Sequence, residues 1–231
     1  SLGQTFTPIF SQLVAKPLGK LLTSSGTRDD RARLSATCLF DDCVEHCGPE
    51  AANNYAPQLL QGIVESLNDP GSDADLKRAS VYGLSQVARN APNALSSRLG
   101  QDLLHQIFQL CNAPKSDADN AVLFENAVSC MASLVLFKGA PLFETISDKG
   151  ILTKSFLAGL PLEEDFDEAI ICHEGLCDMV EMGFININTD YGDLIRIIGG
   201  VLSIVAEGYE VASASTCSRL LSIVDRIQQS V

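Results

Sequence analysis

Cys43, His46 and Cys47, in the stretch FDDCVEHCG, have the residue types for metal chemistry. On a helix, positions i, i+3 and i+4 share a face, so two thiolates and an imidazole could converge on a zinc ion. A closed zinc site takes four ligands, and no Cys-x-x-Cys pair stands elsewhere to complete this one. Packing accounts for the group better, because Cys43 and Cys47 fall on the apolar stripe of their own helix, where a reduced thiol behaves as a small hydrophobe. Cys172, His173 and Cys177 form a similar group that only the fold could bring together, packing explains these cysteines too, and His105 has no nucleophile beside it. Nucleotide, nucleophile-elbow and zinc-protease motifs are missing, and Gly199-Gly200 sits in an apolar helical stretch suited to close helix packing. The chain is therefore expected not to be an enzyme, and to need no cofactor or metal.

Carboxylates are the other candidates. Asp41, Asp42 and Glu45 form one group at helical spacing, and Glu174, Asp178 and Glu181 form another. Residues three and four apart stand as neighbours on a helix, so each group can present a cluster of negative charge to a Lys/Arg-rich polypeptide. The whole chain of 231 residues leans the same way, with 29 acidic against 16 basic side chains and a net charge of −13. That balance excludes sequence-independent binding to the nucleic-acid backbone and favours a basic protein segment as partner.

The elements that must hold these residues recur along the chain. Residues 28–48 read as one amphipathic helix with Ala36, Phe40, Cys43 and Val44 on its apolar side. Forty-four residues on, Ser72-Asp73-Ala74-Asp75 opens a second such helix, and forty-four more bring an identical Ser116-Asp117-Ala118-Asp119. A period of roughly 40–47 residues carrying two helices is that of HEAT or armadillo units. The expected fold is all-α, a HEAT-repeat α-solenoid: a right-handed superhelix of about five antiparallel helix pairs in a single array. The approximate units are 3–48, 49–91, 92–139, 148–183 and 188–231.

Several local expectations follow. Pro17 should kink or break the first helix. Ser72 and Asp75 have capping-box spacing. The acidic run from Glu163 to Glu168 complements the dipole of the helix it opens. Phe184 to Asn188 alternates like a strand but has nothing to pair with, and reads as loop. The first helix has an apolar face with nothing before it in sequence, so the chain is expected to be cut from a longer array. Cysteines on apolar helix faces, no signal segment and no Asn-x-Ser/Thr acceptor point to a reducing intracellular compartment. The run from Leu194 to Ala206 contains Arg196 and two glycines, too short and interrupted to span a bilayer, so the protein is expected to be soluble.

The segment CLFDDCVEHCGPEAANNYAPQLLQ, followed by LKRASVYGLSQVA and later by LPLEED and SIVAEG, resembles the C-terminal HEAT repeats of the importin-beta superfamily of nuclear transport receptors (karyopherins). The likeness is greatest to the branch called importin five, or karyopherin beta three, and runs in order from Phe40 onward. It implies a receptor that carries protein cargo through nuclear pores under control of the Ran GTPase, shuttling between cytoplasm and nucleus. Its partners would be basic nuclear localisation segments, nucleoporins and Ran-GTP, the last mainly through repeats absent here, with no direct nucleic acid and no membrane. In such receptors the second helix of each pair lines the concave surface. That places partner contacts at Asp41, Asp42 and Glu45, at Tyr82, Gln86 and Arg89, at Asn126, Ser129 and Ser133, and at Glu174, Asp178 and Glu181. A HEAT-repeat scaffold or regulatory subunit of another protein assembly, without catalysis, would fit the helices equally well.

Overall fold

The computed structural model describes residues 2–112, 118–138 and 149–230, and every regular element among them is helical. None of these helices is long and apolar enough to cross a membrane. The second Ser-Asp-Ala-Asp start, residues 116–119, lies partly outside the described residues.

The chain opens with α1 (Leu2–Ile9), a π turn (Phe10–Val14), α2 (Ala15–Gly19) and a 3-10 turn (Lys20–Leu22). Pro17 lies inside α2 and does not break it. The ladder widens just upstream instead, where the Ala15 N–H reaches back to the Phe10 carbonyl. A proline cannot donate to the carbonyl four residues before it, and the wider turn accommodates the loss. Next, α3 (Asp30–His46) is capped by the Asp29 carboxylate, which accepts the Arg31 N–H at 3.0 Å. Gly48 ends the turn at φ 88°, a left-handed conformation cheap only for glycine, and Pro49 opens α4 (Pro49–Asn68).

For α5 (Ala74–Asn90) the expected Ser72/Asp75 box gives way to a different cap. Asp73 caps the helix, accepting from the Asp75 N–H, while Ser72 is buried with its hydroxyl unpartnered. The backbone N–H of Asp73 is itself held by the Asp30 carboxylate at 2.8 Å, and this cross-helix bond fixes which residue stands at the cap.

Two compact units divide between Ile107 and Phe108, within α6 (Ser97–Cys111). In the first, α3, α4 and α5 pack on one another. Phe10, Phe40 and Tyr55 meet edge to face there, with centroids 5.2–5.7 Å apart. Each such pair adds about 1 kcal/mol to the burial of its rings. In the second unit, α7 (Ala118–Lys138) packs on α8 (Lys149–Ala158) and α9 (Phe166–Glu181). Beyond them, α10 (Tyr191–Ala206) packs on α8 and α11 (Ala214–Ser230), and α9 also meets α11. Phe184 to Asn188 is loop, as expected: it closes α9 with Phe184 and Ile185 donating to the Met179 carbonyl.

Within each unit the hydrogen bonds that join distant residues keep a narrow register. Glu45 and Tyr82 are 37 residues apart, Asn68 and Gln106 38, Asn126 and Asp165 39, Asp30 and Asp73 43, and Arg196 reaches the Leu160 carbonyl across 36. These separations run from 36 to 43 residues, each shorter than the 44-residue recurrence of the sequence.

His173 has such a place. Fully buried, it donates from Nδ1 to the Val211 carbonyl at 2.8 Å and accepts the Leu162 N–H at Nε2, 3.2 Å. The imidazole is therefore neutral, and burial pushes its pKa below the usual 6.5. A pKa lowered on folding means that the unfolded chain binds the extra proton, so stability is lost as pH falls through about 6.5. The wild-type melting temperature is expected to drop between pH 7 and pH 5 by more than that of His173→Gln; parallel profiles would reject the clamp.

Candidate partner-binding groove

Helix α7 is apolar almost throughout, yet it carries Glu125, Asn126, Ser129 and Ser133 at spacings that put them toward α9. All four are buried. Glu125 accepts the consecutive backbone N–H groups of Glu163, Glu164 and Asp165 at 2.8, 2.9 and 3.0 Å. Asn126 donates to Asp165 at 2.9 Å, and Ser129 donates to the buried Glu168 carboxylate. Asp165 in turn caps α9 by accepting the Glu168 N–H. The acidic run at 163–168 thus does more than complement a helix dipole: its backbone is gripped by a carboxylate from the preceding second helix.

Past this polar end the two helices come close because small residues face each other. A Cβ on Gly175 would lie 3.2 Å from Leu136 Cδ1 and 3.8 Å from Ala132 Cβ. Beside that approach a groove of about 200 Å³ opens, floored by Ala132, Ser133, Cys172 and Gly175, with Leu136, Phe137 and Ile171 on its walls. Phe137 and Ile171 are 48% and 40% exposed and both face this groove. Glu174 and Asp178 complete the rim, with side chains 58% and 45% exposed.

Arg219, from α11, meets this rim. Its Nη2 donates to Asp178 at 2.6 Å, its Nε to Glu181 at 2.9 Å, and Nη1 stands 3.9 Å from Glu174. The hydrogen bond from Arg219 holds the Glu181 carboxyl below its ordinary range, and the bonds from Glu181 and Asp178 raise the guanidinium.

The first unit treats its carboxylates differently. Asp41 was expected to stand with Asp42 and Glu45 in an open row, but it is only 3% exposed and faces Gly83 of α5. Burial, then the charges of Asp42 and Glu45, push its carboxyl well above the usual range. Glu45 accepts the Tyr82 hydroxyl at 2.7 Å, so of the three only Asp42 remains fully exposed. Gln86 is buried and accepts from Asn90 at 3.1 Å, and Asn126, Ser129 and Ser133 are buried as described. Asp41, Gln86 and Asn126 are thus buried in helix packing rather than on an open face, whereas Ser129 and Ser133 line the groove. Here α3 lies against α5 and α7 against α9; Glu45, Asn126 and Ser129 find partners on or just before the neighbouring helix, while the buried Asp41 Oδ1 has no hydrogen-bond partner. Glu174, Asp178 and Glu181 keep their exposure and are brought together.

Cys43 is buried, its thiol pushed up to about 12 by burial first and Cys47 second, while His46 points out beside Glu45. Among the described residues no three His, Cys, Asp or Glu side chains gather to hold a metal. Sequence reasoning missed Glu125, Arg219 and the exposed Phe137 and Ile171. A charge inside an apolar helix was the available sign for Glu125, and Arg219 stands 41 residues beyond Asp178, out of reach of any local pattern. The sequence matches no known protein-family model.

Proposed function

We propose that this chain is part of an α-solenoid of HEAT-type helix pairs that binds protein segments without chemistry, and that it works as part of a nuclear import receptor of the importin-beta kind. The carrying observation is the α7–α9 groove: an apolar cleft, open to solvent, with Glu174 and Asp178 on its rim. Such a surface suits a peptide that combines an apolar anchor with positive charge. The 36–44 residue register of the long-range bonds within each unit is in keeping with a solenoid, in which neighbouring units bond at a similar offset. The likeness of FDDCVEHC and LPLEED to import receptors supports the biological setting, with basic localisation segments, nucleoporins and Ran-GTP as partners and movement between cytoplasm and nucleus.

A fluorescent Lys/Arg-rich localisation peptide should bind this chain at low salt and weaken as salt rises. Reversing one rim charge, Glu174→Lys, should weaken it roughly ten-fold. Truncating an exposed wall residue, Ile171→Ala, should weaken it as well, with the helical circular dichroism retained. Unchanged affinity in both variants would remove the groove as the binding site. Retention of the full-length protein on immobilised Ran-GTP but not Ran-GDP would favour the transport receptor, and its absence would favour a scaffold.

A further inference from the structure

The groove's rim is not empty of positive charge: the chain supplies its own. We propose that Arg219 is an internal stand-in for a cationic side chain of the partner, and that the partner is a segment with a bulky apolar residue about one turn from an arginine. The inference rests on the reading of the groove as a peptide site.

Three features carry it. Asp178 belongs both to the cleft and to the Arg219 pair, so one carboxylate is shared between the apolar site and the internal cation. Glu174, Asp178 and Glu181 stand at positions i, i+4 and i+7 of α9, and without a cation they would repel one another. The guanidinium is more enclosed than its partners, 25% exposed against 58%, 45% and 49%, and an arginine fork can hold two carboxylates at once. An incoming arginine that displaces Arg219 from Asp178 exchanges one half-enclosed ion pair for another, and Arg219 keeps its bond to Glu181, so the step costs little. The net drive then comes from seating the apolar side chain beside Phe137 and Ile171. Charge alone would give little affinity, and a segment with both features would be selected over a merely basic one.

The test uses two fluorescein-labelled peptides, Gly-Leu-Gly-Gly-Arg-Gly and the same sequence with glutamine for arginine, against the wild type and Arg219→Gln. Removing the internal competitor should tighten the arginine peptide about three-fold at low salt and leave the glutamine peptide unchanged. Arg219→Lys, which keeps the charge but not the fork, should fall between. Circular dichroism and melting temperature establish that each variant is folded. Equal or weaker binding of the arginine peptide by folded Arg219→Gln overturns the stand-in role while the groove reading survives. Failure of every protein to bind either peptide overturns both.

Discussion

Glu125→Ala is expected to lower the unfolding free energy by about 4 kcal/mol, the largest single-residue effect on the packing of α7 against the turn before α9. Three backbone amides in a row end on this carboxylate, and hydrogen bonds to a charged acceptor contribute roughly 1.5–3 kcal/mol each when they can be isolated. The estimate is below their sum because the amides are only partly buried and water replaces some of what is lost. Glu125→Gln keeps one carbonyl acceptor and should cost about half as much. Urea unfolding measures both. A loss under about 1 kcal/mol in the alanine variant would mean that water serves the turn as well as Glu125 does. Since the same turn positions Asp165 at the cap of α9, the alanine variant should also weaken peptide binding at the groove.

Gly83→Ala should destabilise the first unit, although alanine is the better helix former by about 1 kcal/mol. The added Cβ would sit 3.0 Å from Asp41 Cγ and closer still to Oδ1, and Asp41 has no room to turn away, being buried against α5. Overpacking of this kind costs about 1–3 kcal/mol, more where a polar atom is trapped, so the contact outweighs the propensity. Asp41→Ala should relieve it, and the double variant should recover most of the loss; additive effects would show that the two residues do not meet in solution.

Asp41 also sets a pH slope. Its carboxyl pKa is raised on folding, so the folded chain holds the proton that the unfolded chain releases near 4, and stability falls as pH rises above that value. Asp41→Asn removes this slope and should leave the protein more stable than wild type at neutral pH. The slope runs opposite to that of His173, and comparing each variant with wild type separates them.

Much of this architecture was legible residue by residue. Gly48-Pro49 marks a helix end by chemistry that acts within a few residues, a positive φ and a missing N–H, whereas the cap of α5 proved to be Asp73 rather than Ser72. The apolar periodicity announced helices throughout, and the loop at 184–188 was evident because a lone alternating stretch has no neighbour to bond. Only tertiary structure decided which polar positions face water. Asp41 and Asp42 are adjacent and chemically alike, yet one is buried against Gly83 and the other exposed. A helix has one stripe that hydrophobicity reveals, but a second helix in such a pair has another contact face, made of Gly83, Gly175, serines and carboxylates, which carries no hydrophobic signal. Partners for that face, such as Tyr82 for Glu45 and Arg219 for Asp178, come from 37 to 41 residues further along, beyond the reach of any local pattern.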